Sequence, residues 1–210
     1  AARDEFMRNL NSVYWEFDDG YVRLVAADGF RMALSEERID LSIEDHFLLT
    51  LKSMRDLQNS LKAAMSDVMR VVYDGSRVQF FFDGTEIVTK VVDAEFPDYK
   101  KVLPKSFKAR VVLPAVTFSD AVRRASIAAR LGSDSVKFEI NDEEFKIIAR
   151  SPDHGESIEV IKTSKEGDNI IIAFNPRFLS EAVKKVDSEM VELNFVDSNS
   201  PLQMNPVDIQ

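Results

Sequence analysis

Ser12-Val13-Tyr14-Trp15-Glu16-Phe17-Asp18-Asp19 returns 123 residues later as Ser135-Val136-Lys137-Phe138-Glu139-Ile140-Asn141-Asp142. The match runs on without a gap. Val22-Arg23-Leu24-Val25-Ala26 faces Phe145-Lys146-Ile147-Ile148-Ala149, and His46-Phe47-Leu48-Leu49 faces Asn169-Ile170-Ile171-Ile172. At the same offset Val71-Val72-Tyr73-Asp74-Gly75 faces Asn194-Phe195-Val196-Asp197-Ser198. One such match could be chance. Several in order at one offset read as two copies of one domain, and the period is too long for a solenoid.

Working outward, each copy has the same plan. Two alternating segments flank an acidic turn: Val13 to Phe17 with Tyr21 to Ala26, and Val136 to Ile140 with Glu144 to Ala149. A period of two, rich in Val, Ile and aromatic residues, predicts strands. Asp18-Asp19-Gly20 and Asn141-Asp142 are turn formers between them. Further strands are expected at Met32 to Ile39 and Ser157 to Thr163, and at Phe47 to Leu51 and Ile170 to Phe174, the last two running into helices. The first helix is read as Ser53 to Ala64, capped by Ser53, with Met54, Leu57, Leu61 and Ala64 on one face. Its sibling is Pro176 to Val186, with Asn175 as N-cap and Pro176 at the first helical position. Met69 to Tyr73 with Arg77 to Phe82, and Met190 to Val196 with Leu202 onward, close the two copies. Ala109 to Leu113 is a strand and Ala115 to Leu131 a helix buried through Phe118, Ala121, Val122 and Ala125. Their counterparts in the first copy are expected before residue 1, leaving only a last helical turn around Ala1 to Arg8. Pro97, Pro104 and several lysines mark a connector. The expected organisation is therefore a first domain over 1–95, a linker over 96–108 and a second domain over 109–210, in the α+β class.

Composition narrows the chemistry. The chain has 210 residues, 45% hydrophobic and 30% charged, with a net charge of −9, a balance that can fill two modest cores. It has no cysteine, so disulfides and thiol catalysis are excluded. The two histidines, His46 and His154, have no metal-ligand spacing, and neither a metal nor a cofactor is expected. The apolar runs are too short for a membrane helix, and Ala1 to Glu5 lacks the layout of a signal peptide. Ser151, Asp153 and His154 lie close in sequence, but a triad needs geometry across a fold.

A net acidic chain is a poor candidate for nucleic acid by its sum alone. The distribution is different. Acid collects in hairpins and turns, while helices carry cations seven residues apart: Arg55 and Lys62, Arg123 and Arg130, Arg177 and Lys184. Arg8, Arg124 and Lys185 add to the set. Either these are ordinary solvated helix faces, or they form a basic lining that touches phosphates without reading bases.

Three segments resemble a known family. Ala26-Ala27-Asp28-Gly29-Phe30-Arg31-Met32-Ala33 is similar to the A-T-D-G-H-R-L-A segment of the bacterial DNA sliding clamp, the DNA polymerase III β subunit. Phe96-Pro97-Asp98-Tyr99-Lys100-Lys101-Val102-Leu103-Pro104 resembles that family's F-P-D-Y-x-x-V-L-P linker. Asp197-Ser198-Asn199-Ser200-Pro201 resembles its segment before the final strand. The likeness runs through essentially the whole chain, over most of the family's second domain and nearly all of its third. It departs at Phe30, often His, and at Ala27, often Thr. The family's closing strand, with a Met-Pro-like stretch, is not matched, so the chain is read as a fragment.

The resemblance implies duplicated clamp domains: antiparallel sheets outside, two helices per domain lining the inner face. It implies a head-to-tail homodimeric ring around duplex DNA, a processivity factor without catalytic residues, cytoplasmic and nucleoid-associated in bacteria. Its partners would be the polymerase catalytic subunit, the clamp loader and other proteins bearing a clamp-binding peptide. That peptide would enter a pocket between the second and third domains. The pocket residues carried over are Leu10, Ala27, Gly29, Phe30, Arg31 and Met32, then Pro97, Lys101 and Val102, then Asn175, Phe178, Asn199 and Pro201. On periodicity alone several of these read as ordinary core. DNA-facing residues would be Arg8, Arg55, Lys62, Arg123, Arg124, Arg130, Arg177, Lys184 and Lys185. The subunit join would include Ile127 and Ala128 with Glu156 and Glu159. Two other readings stand beside this one: a β-rich protein-interaction module with no DNA role, and a hydrolase with an interdomain carboxylate pair, Asp28 and Asp98.

Overall fold

The computed structural model describes residues 1–2, 7–130, 132, 135–151, 153 and 155–207. The chain divides into two compact units, Ala1–Lys100 and Lys101–Gln210, each with its own core.

In unit 1, β1 (Ser12–Asp18), β2 (Tyr21–Ala27), β3 (Met32–Arg38) and β4 (Asp45–Thr50) form an antiparallel sheet in the order β3-β2-β1-β4. Asp19 and Gly20 join β1 to β2 with φ of 52° and 74°, the paired left-handed conformation that matches the twist of a two-residue hairpin. The helix α1 (Leu51–Leu61) follows β4 directly. β5 (Arg70–Tyr73), β6 (Arg77–Phe82) and β7 (Thr85–Lys90) make a second, three-stranded sheet.

Alternation decides which side chains enter the core. Trp15 on β1, Phe47 and Leu49 on β4, Leu57 on α1, and Val78, Phe80 and Phe82 on β6 form one buried cluster. Trp15 lies 5.6 Å from Phe47 and 5.8 Å from Phe80 between ring centroids, and its indole N–H points at the Met54 sulfur, 3.3 Å away.

Unit 2 repeats the first sheet. β9 (Val136–Ile140), β10 (Glu144–Ser151), β11 (Gly155–Lys162) and β13 (Ile170–Phe174) take the order β11-β10-β9-β13, the same topology as β3-β2-β1-β4. The turn chemistry repeats as well. Asp74 Oδ1 accepts from the amides of Ser76 and Arg77, and Asp197 Oδ1 accepts from those of Asn199 and Ser200. The second sheet of unit 2 is β12-β8-β14-β15, made of β8 (Ala109–Pro114), β12 (Lys165–Gly167), β14 (Met190–Phe195) and β15 (Gln203–Val207). The helices α2 (Ala115–Arg130) and α3 (Pro176–Val183) pack on each other, and Ser126 and Ser180 share a 2.9 Å hydroxyl hydrogen bond. Phe118, Phe138 and Phe145, all fully buried, meet at centroid distances of 4.9 to 6.0 Å.

Several boundaries differ from the sequence reading. The first helix begins at Leu51, not Ser53, and its cap is Thr50, whose hydroxyl accepts from the Ser53 amide at 3.1 Å. It ends at Leu61, and the sibling helix ends at Val183 rather than Val186. The expected cap at Asn175 is present: its side chain accepts from the Arg177 amide at 2.9 Å. Two strands were not foreseen, β7 and β12. Among the described residues unit 2 has two helices and unit 1 has one. The helical turn expected near Ala1 to Arg8 lies partly outside the described residues, although the Asn11 amide donates to the Met7 carbonyl at 2.7 Å.

The expected linker is not a free tether. Phe96 stacks on Tyr14 at 5.0 Å and 3°, and Tyr99, in a 3-10 turn over Tyr99–Lys101, is only 5% exposed. Its hydroxyl donates to Glu16 at 2.5 Å, while Lys100 pairs with Glu16 at 2.9 Å and with Asp18 at 3.2 Å. At the far end the Lys108 amide donates to the Phe195 carbonyl. The first half of the motif is thus part of unit 1, and Lys108 belongs to unit 2.

This anchor has a pH signature. Burial raises the Glu16 carboxyl, but hydrogen bonds from Tyr99 and Lys100 and the charges of Lys100 and Arg23 outweigh it, so Glu16 is held below its usual range. Burial and the Glu16 carboxylate push the Tyr99 phenol up. As pH falls the unfolded chain takes up the Glu16 proton first. The stabilisation is therefore complete above the ordinary carboxylate range and is lost as pH falls through the lower folded-state value. Y99F is expected to cost unit 1 about 1.5–3 kcal/mol at neutral pH, the worth of a hydrogen bond to a charged group. That cost should shrink as Glu16 is protonated. Urea unfolding followed by Trp15 fluorescence across pH measures it; a cost independent of pH would contradict the assignment.

Candidate functional site

In unit 1 the residues assigned to peptide docking gather around one turn. Ala27 and Met32 are cross-strand partners at the end of β2 and β3. The Ala2 amide donates to both the Leu10 carbonyl, at 2.7 Å, and the Ala27 carbonyl, at 3.1 Å, which brings Leu10 beside them. Asp28 builds the turn itself. Its Oδ1 accepts from the amides of Phe30 and Arg31, each at 3.1 Å, and its Oδ2 pairs with the Arg31 guanidinium at 2.9 Å. Burial opposes ionisation of Asp28, but these donors prevail and hold its carboxyl below the usual range. The turn presents Phe30 at its tip, 80% exposed. Pro97 is exposed in the segment that covers Tyr14 and Glu16.

In unit 2, Val102 is 60% exposed and Lys101 is exposed. Asn175 caps α3 and Phe178, half-buried, lies in its first turn. Asn199 and Pro201 are exposed in the turn built by Asp197, between β14 and β15.

The helix cations fall into two groups. Arg123 pairs with Asp120 at 3.1 Å, Arg177 with Glu181 at 3.3 Å, and Arg124 makes a two-pronged contact with Glu159 on β11 at 2.7 and 2.9 Å. Arg124 and Glu159, assigned to DNA and to the subunit join, are therefore partners of each other. Arg8, Arg55, Arg130, Lys184 and Lys185 are exposed, and among the described residues none of them forms an ion pair; exposed Lys62 contacts the Asn59 amide oxygen.

Glu156 pairs across the strands with Arg150 at 2.6 Å, Ala128 packs half-buried on the unit 2 core, and Ile127 is 58% exposed. Beside them Ile158 and Val160 project from β11, about half exposed. The sequence reading missed these two. The signal was there: apolar residues on both faces of an alternating strand at the edge of its sheet.

Among the described residues, no group of three or more His, Asp or Glu side chains is placed to hold a metal ion. No described helix is long and apolar enough to cross a membrane. Ser151 is buried and Asp153 is described, but His154 lies outside the described residues.

Comparison with known proteins supplies the family. Residues 1–98 match the model of the DNA polymerase III beta subunit central domain, and residues 100–209, more than half of the chain, match that of its C-terminal domain. The chain belongs to the DNA polymerase III beta subunit family. Similar curated relatives are the beta sliding clamps of Rickettsia felis, 27% identical over 98% of this chain and 59% of the relative, and of Streptomyces coelicolor, 28% identical over 96% and 55%. Among solved structures, the DNA polymerase III beta subunit of Thermotoga maritima superposes with a TM-score of 0.94 at 48% identity, over 100% of this chain and 57% of that one. The fold is shared with the Pseudomonas aeruginosa sliding clamp solved bound to griselimycin, with a TM-score of 0.89 at 24% identity over 100% and 57%. The chain spans between half and two thirds of the length of these beta subunits. Its two units correspond in order to the family's central and C-terminal domains, and the fold is the family's α+β clamp fold.

Proposed function

We propose that these residues form the second and third domains of a sliding clamp: a non-catalytic ring that encircles duplex DNA and tethers polymerases and repair proteins to it. What carries this reading is the order of the two units, one plan used twice and matched in succession to the central and C-terminal clamp domains. The polymerase catalytic subunit, the clamp loader and other peptide-bearing partners would dock on Leu10, Ala27, Gly29, Phe30, Arg31, Met32 and Pro97 from unit 1, with Lys101, Val102, Asn175, Phe178, Asn199 and Pro201 from unit 2. Burying one large aliphatic anchor on such residues is worth roughly 1.5–3 kcal/mol, suited to an exchangeable contact. The subunit join would use the free edge of β11 with Ile127, Ile158 and Val160, an apolar sheet edge of the kind that monomers usually cover or charge. The protein would act in the bacterial cytoplasm, at the nucleoid.

The hydrolase reading is weaker. Asp28 is committed to its turn and to Arg31 and is held ionised, whereas a general acid needs a carboxyl raised toward neutral pH. The test is topological and uses the gene product at its natural length. Loaded on a nicked circular duplex, it should stay bound through gel filtration and should leave once the circle is linearised. Equal loss from circular and linear DNA would refute the ring.

A further inference from the structure

We propose that unit 1 carries a second docking site, an aromatic and acidic recess that takes an arginine side chain of a partner peptide. The recess has a volume of about 750 Å³ and lies wholly within unit 1. Tyr14, His46, Phe47, Tyr73 and Phe96 supply its rings, and Asp93 and Glu95 its charges; among the described residues no lysine or arginine lines it.

The strand pattern explains the rings. Val13, Trp15 and Phe17 on β1 face the core, so Tyr14 must project from the opposite face. There it stacks flat on Phe96, at 5.0 Å and 3°, with the His46 ring 5.7 Å away at 47°. Such a stack fixes two ring planes beside each other without closing the space around them. Tyr73 is held against Phe47, at 5.1 Å, and its hydroxyl donates to the Gly75 carbonyl at 3.3 Å, so the phenol oxygen is left as an acceptor. The segment carrying both carboxylates is tied down at each end. The Val92 amide donates to the Leu48 carbonyl at 2.9 Å, and the Asn9 side chain donates to the Glu95 carbonyl at 3.2 Å.

The chemistry points one way. Aromatic faces carry partial negative charge and attract a cation lying over them. Asp93 and Glu95, which pair with no cation among the described residues, add to that field and repel phosphate, which disfavours a nucleic-acid backbone. A guanidinium is planar, so it can stack on a ring while its edge donates to a carboxylate, a combination that a lysine ammonium cannot make. The recess is far larger than one such group, so residues flanking the arginine would lie in it too. The site is separate from the residues assigned to peptide docking, and it does not depend on the ring being closed.

The experiment titrates residues 1–210 with the tripeptide acetyl-Gly-Arg-Gly-amide and, in parallel, with its citrulline counterpart, which keeps the shape and loses the charge. Aromatic proton–carbon NMR reads the rings directly. Saturable shifts in the millimolar range are expected at Tyr14, His46, Tyr73 and Phe96 with arginine alone. The surface variant D93N/E95Q, which leaves the core untouched, should weaken binding roughly fivefold, the scale of two partly exposed ion pairs. Equal binding of the citrulline peptide, unchanged affinity in D93N/E95Q, or no saturable shift at these rings would each overturn the proposal.

Discussion

F138A is expected to destabilise unit 2 by about 3–5 kcal/mol, the usual cost of truncating a fully buried phenylalanine in a packed core. Phe138 is 0% exposed on β9, a strand hydrogen-bonded on both sides, to β10 and to β13. Its ring sits 4.9 Å from Phe145, 5.1 Å from Phe174 and 6.0 Å from Phe118. Removing it leaves three neighbouring rings facing a void that the two sheets and α2 cannot close without leaving their register. Domains of this size are stable by only about 5–15 kcal/mol, so the variant forfeits a large part of the total. The chain provides a natural control. Its one tryptophan, Trp15, lies in the core of unit 1. Under urea, Trp15 fluorescence should keep its midpoint, while far-UV circular dichroism, which sees both units, should gain an early transition. A common shift of both signals would mean that the two cores unfold as one.

Much of this architecture could be read from residues alone, because duplication tests itself: an alternation that occurs once is weak, but one that recurs at a fixed offset with its turn residues in place is strong. The strands that carry Trp15 and Phe138, at equivalent places in the two copies, were legible for that reason. Short elements were not. β12 has three residues and β7 follows a turn at Asp83-Gly84 that gave no sign of what came after. The start of α1 was misplaced because Leu48-Leu49-Thr50-Leu51 reads as one apolar strand; only the backbone shows that Thr50 already caps the helix. Prolines and lysines marked a connector, but nothing in local pattern reveals that Phe96 and Tyr99 are held by Tyr14 and Glu16, more than eighty residues earlier in the chain. The residues assigned to docking were drawn from a specific motif rather than from periodicity. The pairing of Arg124 with Glu159 was not legible, since it requires α2 to cross β11.

The cationic helices offer the sharpest separation between affinity and topology. Arg55, Lys62, Arg130 and Lys184 are exposed and, among the described residues, form no ion pair, so reversing them to glutamate removes positive charge without stranding a partner carboxylate. Arg123, Arg124 and Arg177 are a poorer choice, because their loss would also break the pairs with Asp120, Glu159 and Glu181. If the four residues meet phosphates, binding to a short linear duplex should fall by about ten- to hundredfold at low salt. The slope of log K against log salt should become shallower by about 0.9 for each phosphate no longer neutralised. Sequence preference should not change, since phosphate contacts carry none. Retention on a nicked circle behaves differently. A closed ring is held by linkage and not by attraction, so once loaded the variant should still be released mainly by cutting the circle. A variant of the natural-length protein that loses circular retention in proportion to its linear affinity would show that attraction to the phosphates, not encirclement, holds the protein on DNA. One whose linear affinity and salt slope are untouched would show that these helices do not face DNA at all.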